Sequence, residues 1–407
     1  MTILVLCESN FLAHTSRPLE VAKELRARGH TVAFAGDGAY MRLPREAGFR
    51  TIPLVSVEPE YTLRVARKGR VRWWTRHTAE QHIRTEIALL QQEHPDLVLC
   101  DNRFTASTSC EVAGIPMISL LNASWTNHYA VRYSAPEHFA ITHILGEPLT
   151  EAIIPFLKRI VLTVDVFPVR RVRRQLGLPL RKNLWDIGEG ALNLLVDIPS
   201  FAPTTNLPMH HRYVGPIVWE PDLEMPAWYH TLDCERTTLY ISMGSTGNPA
   251  YLQACVDILG NTEYQCMMTT AGLMNLSESV SLPENFFVTD YASGMKLIEK
   301  ADAVICQGGN GTIYQALSHD VPIVGIPTMH DQEFNMDRVE SLGAGIQLSD
   351  LKFQPTHLLE ALRRVLHEPS FREAARRVCA ELRTYSGARQ AAVEIEEFMK
   401  QKQMKRA

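Results

Sequence analysis

The sequence predicts an α/β protein of two domains, each built on a parallel β-sheet. Three observations carry this. The chain has 407 residues, more than one hydrophobic core usually serves. Short apolar runs alternate with helical segments along its whole length, the grammar of βαβ units. Near the middle, Pro199, Pro203, Pro208, Pro216, Pro221 and Pro226 crowd together and mark a linker.

In the first half, residues 3–7, 31–36, 97–101 and 117–121 read as strands. Between the first two, Leu19, Val21, Ala22 and Leu25 fall on one helical face, and Gly29 ends that helix. A helix over about 80–93 precedes His94-Pro95-Asp96 and the strand that delivers Asp101. The second half repeats the pattern with strands at 238–243, 264–269, 286–288, 303–306 and 322–326. The segment 388–402 has Ala392, Ile395 and Phe398 at helical spacing and is free to pack on either domain.

Composition excludes several classes. A net charge of −4 lacks the basic excess expected of a nucleic-acid binder. The eight cysteines contain no C-x-x-C pair. Cys7, Cys100 and Cys306 close apolar runs, so they are expected as free thiols filling a core in a reducing compartment. No His/Cys spacing suggests a metal site, and none is expected. Residues 1–8 lack a basic leader and read as a first strand, not a signal peptide. No apolar stretch has the length to cross a bilayer, so a cytoplasmic protein is expected.

The most informative segment is the strand 303–306 followed by Gln307-Gly308-Gly309-Asn310-Gly311-Thr312 and a helix through Gln315. Glycines let a backbone approach a ligand closely, and the helix start offers unpaired N–H groups with a partial positive charge. This suits a diphosphate. A tight turn with no ligand would leave the same trace, and the spacing fits neither the dinucleotide fingerprint nor a P-loop.

The flanks decide for a ligand. The stretch from Asp290-Tyr291 through the glycine loop to Pro327-Thr-Met-His330-Asp331-Gln332-Glu-Phe-Asn335 and Gly343 resembles the donor-binding signature of family-1 glycosyltransferases. Ser242-Met-Gly244-Ser245 agrees with it at lower specificity. The resemblance implies the GT-B fold, two Rossmann-like domains facing a central cleft. It implies an acceptor domain at 1–215, a donor domain at 216–385 and a terminal helix at 386–407 that can pack back on the first. The activity it implies is metal-independent transfer, with inversion, of a hexose or deoxyhexose from a UDP- or dTDP-sugar. The acceptor would be a hydroxyl of a small hydrophobic natural product or lipid, and no cofactor is implied beyond the nucleotide-sugar co-substrate.

Carried onto this chain, the resemblance makes Tyr291 the stacking partner of the base, a position more often held by Trp. Gly308 to Thr312 would hold the diphosphate and Asp331 and Gln332 the sugar hydroxyls, with Gly244 and Ser245 also in the donor site. Gln307 stands where the family usually has His, and Gln315 where UDP-sugar users often have a ribose-binding Glu, so the base stays open between UDP and dTDP. Ala13-His14-Thr-Ser-Arg17-Pro18…Arg28-Gly29-His30 resembles the family's catalytic-histidine stretch, with the proline displaced by one. His14, placed in the loop after the first strand, would be the general base, and Asp101 would orient it. Asp101 capping the helix near Ala106 is the alternative for that residue.

Aromatic residues Tyr61, Trp73, Trp74, Phe104, Trp125 and Tyr129 fall in first-domain loops, and Phe104 and Trp125 are the acceptor-binding candidates. Basic runs at 64–76 and 170–182 read as solvated helix faces or as a means of weak association with an anionic membrane surface. A nucleotide-sugar epimerase of the same fold, or a catalytically decayed homologue that still binds nucleotide-sugar, remains as the rival function. The oligomeric state is left open.

Overall fold

The computed structural model describes residues 1–58, 61, 74–137, 139–244, 247–274 and 282–404. The chain divides into two compact units. One comprises 1–132, 152–218 and 385–407, the other 133–151 and 219–384.

The first unit holds a seven-stranded sheet, β1 (Thr2–Cys7), β2 (Thr31–Ala35), β3 (Arg50–Ile52), β4 (Leu97–Asp101), β5 (Met117–Leu121), β6 (Leu192–Leu195) and β7 (His211–Tyr213). The order is β3-β2-β1-β4-β5-β6-β7, every pairing parallel. β4 and β5 are buried at every position, as expected of strands covered on both faces. On one face Leu4, Leu6, Val98 and Cys100 pack with Leu89 and Leu90 of the helix Arg76–Glu93 and Cys110 of the helix Ala106–Ala113.

The helix Leu12–Ala27 packs against the helix Ala388–Met404, which buries Ala391, Ala392, Ile395 and Met399. Met399, not the half-buried Phe398, completes the apolar face. Glu396 anchors this contact by bonding His30 Nε2 at 2.8 Å and Arg28 Nη1 at 3.3 Å.

The second unit repeats the plan with β8 (Thr238–Ser242), β9 (Gln265–Thr269), β10 (Phe286–Thr289), β11 (Ala303–Cys306), β12 (Ile323–Gly325) and β13 (Gly345–Gln347). Their order is β10-β9-β8-β11-β12-β13, again all parallel. Leu239, Ile241, Met268, Ile305 and Val324 meet Leu358, Leu362 and Val365 of the helix Pro355–His367 in its core.

In both sheets the strand order reverses once, between β1 and β4 and between β8 and β11. The loops leaving such a switch point diverge to opposite faces and open a crevice beyond the strand ends, the usual ligand position in open parallel sheets. The eight cysteines are free, and all but Cys234 are buried. Among the described residues no helix is long and apolar enough to cross a membrane.

Candidate functional site

Parallel pairing of β1 with β4 sets Cys7 opposite Asp101, so the loops leaving both strands emerge side by side. The Glu8 N–H donates to the Asp101 carbonyl at 3.1 Å and holds them together. Burial pushes the Glu8 carboxyl up, against the opposing pull of Arg103 and two bonds from Asn10.

His14 sits in the first turn of the helix Leu12–Ala27, not in the preceding loop as the sequence suggested. The helix starts after the extended Phe11 and runs through Pro18. Proline has no N–H, so the carbonyl of His14 loses its usual partner one turn on.

The His14 imidazole Nδ1 lies 2.8 Å from Asp101 Oδ1. Asp101, at 1% exposure, also accepts from Arg17 Nε at 2.9 Å on Oδ2 and from Arg17 Nη2 at 2.8 Å on Oδ1. Arg17 Nη1 donates to Asn122 Oδ1 at 2.7 Å. Asp101 is thus engaged by this helix, while the helix Ala106–Ala113 begins at Thr105 with no side-chain cap. Arg17 Nη2 stands 2.9 Å from His14 Nδ1 as well, so that nitrogen has two alternatives. Donating to Asp101 leaves Nε2 with a lone pair, whereas accepting from Arg17 puts the proton on Nε2. The sequence reading gave Arg17 no role, although its spacing of three from His14 places both on one helix face.

Trp125, in the turn Ala123–Trp125, holds its ring 5.9 Å from that of His14. It stacks on Trp185 at 5.6 Å and 17°, and on Phe104 at 6.3 Å and 21°. Trp74 meets the edge of Phe104 at 5.9 Å. Phe104 is buried in the cluster with Val166, Val169 and Ile187, so it backs the half-buried Trp125 and does not itself form a surface. Lys158 Nζ lies 5.5 Å over Trp185, and burial lowers its pKa to about 7. The sequence reading missed Trp185. Trp73 lies outside the described residues, and Tyr129 forms a bridge to Thr204.

In the second unit Gly244 follows β8 and Gln307 follows β11, side by side. A Cβ on Gly244, whose φ is +53°, would lie 2.3 Å from Gln307 Nε2. Gly308, at φ +86°, has Met336 Cγ at 2.8 Å and the Gln332 carbonyl at 2.9 Å from where a Cβ would be. Both positions therefore require glycine.

Gly309 opens the helix Asn310–Ser318, with Thr312 half-buried in its first turn, and the Cβ direction of Gly311 faces open space. Gln307 Oε1 and Asn310 Oδ1 are buried with no hydrogen-bond partner among the described residues. Polar atoms orphaned at a glycine-lined helix start are what an unfilled ligand position leaves. Ser245 lies outside the described residues.

One turn further, Gln315 Nε2 donates to Glu220 Oε1, and Glu220 Oε2 accepts from the Met295 N–H at 3.4 Å. A carboxylate thus stands beside the glutamine after all, supplied from the proline-rich segment. The sequence reading had no signal for it beyond an acidic residue in a presumed linker. Tyr291, after β10, is 52% exposed, with its hydroxyl donating to the Ala271 carbonyl at 3.0 Å. Asp331 is exposed in the first turn of the helix His330–Ser341. Gln332 is buried, its Oε1 accepting from the Thr328 N–H at 3.0 Å, and Asn335 Nδ2 ties the same helix to the Gly308 carbonyl at 3.0 Å.

Known proteins share both the sequence and the architecture. Residues 254–397 match the family described as erythromycin biosynthesis protein CIII-like, C-terminal domain. The chain is 33% identical over 380 residues to a PGL/p-HBAD biosynthesis glycosyltransferase of Mycobacterium tuberculosis strain H37Ra, covering 92% of this chain and 87% of the relative. It is 31% identical over 378 residues to a PGL/p-HBAD biosynthesis rhamnosyltransferase of Mycobacterium bovis strain BCG, covering 92% and 83%. The crystal structure of the glycosyltransferase VinC in complex with dTDP superposes with a TM-score of 0.74 at 17% identity, over 98% of this chain and 100% of that one. Two parallel α/β sheets of this order, with sequence kinship over nearly the whole chain, make this protein a glycosyltransferase, a member of the family-1 enzymes of GT-B fold.

Proposed function

We propose that the enzyme transfers a hexose or deoxyhexose from a UDP- or dTDP-sugar to a hydroxyl of a hydrophobic, aromatic-bearing acceptor, with inversion at the anomeric carbon. The observation that carries this reading is the 2.8 Å contact of His14 Nδ1 with the buried Asp101 beside the ring of Trp125. With its proton on Nδ1, donated to Asp101, His14 presents Nε2 as the base. Arg17 fixes the carboxylate from its other side.

The acceptor oxygen loses its proton to Nε2 as it attacks the anomeric carbon, and the bond from that carbon to the diphosphate oxygen breaks. Asp101 stabilises the imidazolium, and the departing nucleoside diphosphate takes its charge into the glycine loop and the start of the helix Asn310–Ser318. Trp125, stacked on Trp185 and Phe104, offers a flat apolar face to the acceptor. Tyr291 would stack on the base, and Glu220 with Gln315 would receive sugar-ring hydroxyls of the nucleoside. Asp331 and Gln332 would take hydroxyls of the transferred sugar, Gln332 through its NH₂ while its amide oxygen accepts from the Thr328 N–H. The chemistry needs no metal, because charge is met by the helix start and the proton by His14. The deoxyhexose donor is supported by the rhamnosyltransferase relative, and dTDP by the neighbour that carries it.

The test is purified enzyme with paired UDP- and dTDP-sugars and phenolic or aliphatic alcohol acceptors, the product's anomeric configuration read by NMR. Acceptor-dependent release of nucleoside diphosphate with inversion is expected without added Mg²⁺. His14→Ala should lose transfer while keeping nucleotide binding by calorimetry. Retained turnover in His14→Ala sinks the base assignment, and donor consumption without acceptor supports the epimerase alternative.

A further inference from the structure

Away from the β1/β4 switch point, the first unit brings together three side chains that no spacing in the sequence would pair. His128 lies in the loop after the turn Ala123–Trp125, Glu189 follows the helix Leu184–Gly188, and His211 opens β7. One ligating atom of each lies within 4.8 Å of the other two. His211 is only 4% exposed, and neither of its ring nitrogens has a hydrogen-bond partner among the described residues. Glu189 Oε1 approaches its Nε2 only to 3.5 Å, an ion-pair distance and not a hydrogen bond with this geometry. Burying an imidazole with both nitrogens unsatisfied is costly, and buried polar atoms of this kind call for an absent partner.

We propose that His128, Glu189 and His211 form a divalent transition-metal site, with Zn²⁺ the ion that fits the donor set best. Two imidazoles and one carboxylate match the borderline-soft preference of Zn²⁺ and exclude the all-oxygen shells of Ca²⁺ and Mg²⁺. Three atoms separated by at most 4.8 Å surround a centre no more than about 2.8 Å from each. Closing to a Zn–N distance of about 2.0–2.1 Å then takes less than ~1 Å of movement per ligand, within the reach of side-chain rotation. The fourth position falls to water or to His210, exposed and with its ring 4.6 Å from that of His211.

The backbone around the three is already fixed. Thr205 N donates to the His128 carbonyl at 2.8 Å, Ala130 N to the Pro203 carbonyl at 2.9 Å, Asn193 N to the His210 carbonyl at 2.7 Å, and Gly190 N to Asn193 Oδ1 at 2.8 Å. A metal here would pin the loop that carries Trp125 to the β6–β7 edge, a structural role distinct from the transfer chemistry.

The experiment uses untagged full-length protein, stripped with a chelator and titrated with Zn²⁺ by calorimetry. Co²⁺ serves as the optical probe, and thermal unfolding is followed in parallel. One Zn²⁺ per chain at low micromolar affinity or tighter, a rise in Tm, and a Co²⁺ spectrum of four-coordinate nitrogen and oxygen ligation are expected. His128→Ala and Glu189→Gln, both at half-buried positions, should each weaken binding at least tenfold, while Cys234→Ser, removing the exposed thiol, leaves it unchanged. Should a variant fail to fold, the wild-type stoichiometry and Co²⁺ spectrum decide alone. Absence of Zn²⁺ binding, thiolate bands in the Co²⁺ spectrum, or binding indifferent to both variants overturns the proposal.

Discussion

Replacing Asp101 by Asn tests the base and its support together. The carboxylate receives three donors, Arg17 Nε on Oδ2, and Arg17 Nη2 and His14 Nδ1 on Oδ1. An amide has one acceptor oxygen. If that oxygen takes the Oδ2 position, its NH₂ faces His14 and forces Nδ1 to accept, so the proton moves to Nε2 and the base is lost. If the oxygen takes the Oδ1 position, the NH₂ opposes Arg17 Nε, donor against donor. Either way the guanidinium, only 8% exposed, keeps its charge with no counter-charge.

Breaking a buried ion pair from one side costs about 3–5 kcal/mol. For a unit of about 150–250 residues that is a fall in Tm of roughly 6–20 °C. Loss of the tautomer-setting carboxylate should lower kcat about 10³–10⁴-fold. Transfer is read by nucleoside diphosphate release, donor binding by calorimetry and stability by thermal unfolding. The double variant Asp101→Asn/Arg17→Gln removes the uncompensated charge and should recover much of the stability but none of the rate. Transfer by Asp101→Asn within tenfold of wild type, or a double variant as unstable as the single, would refute this reasoning.

Gly308→Ala places a Cβ at φ +86°, 2.8 Å from Met336 Cγ and 2.9 Å from a backbone oxygen. It should cost about 2–4 kcal/mol in a denaturant titration and abolish nucleotide binding. Trp125→Ala opens the stacked wall beside His14, and should raise the acceptor KM about tenfold while the donor KM stays put. Asp337 carries a carboxyl pushed up from 3.8 to about 6 by burial, against a bond from Ser134 and with Glu340 and Glu333 adding to the rise. A folded-state pKa above the unfolded one means stability that is full below pH 4 and lost as pH rises through 6. Asp337→Asn should therefore be more stable than wild type at pH 7.5 by about 1–2 kcal/mol after allowance for solvent screening, and the gain should vanish by pH 4. A flat difference across that range would show that the carboxyl titrates normally.

The long central strands were legible because burial on both faces writes them as unbroken apolar runs, as in Leu97–Asp101 and Met117–Leu121. The short strands Arg50–Ile52 and His211–Tyr213 were not, since three residues with polar members carry no periodicity. Leu192–Leu195 and Gly345–Gln347 were too short to stand out for the same reason. The pairing of His14 with Asp101 was implied by the family resemblance and is met at 2.8 Å, although the contact itself is a product of β1–β4 register, which no local pattern contains. Arg17, Trp185 and Glu220 were overlooked because each gains meaning only from what lies beside it. Gln332 shows what the motif does not contain: its amide oxygen accepts from the Thr328 N–H and hydroxyl, so a ligand would meet its NH₂.

The helix Ala388–Met404 is fastened to the first unit through Glu396 with Arg28 and His30, and through the Gly387 N–H to the Val214 carbonyl at 3.0 Å. Its chain is synthesised only after the whole of the second unit, so the first unit can pair its strands as they emerge but cannot complete its native contacts until then. Until that helix arrives, the outer side of the helix Leu12–Ala27, which carries His14 and Arg17, lacks its cover. Contacts spanning more than 360 positions along the chain impose a slow, high-contact-order step. The first unit is thus expected to be the last part to reach its native state.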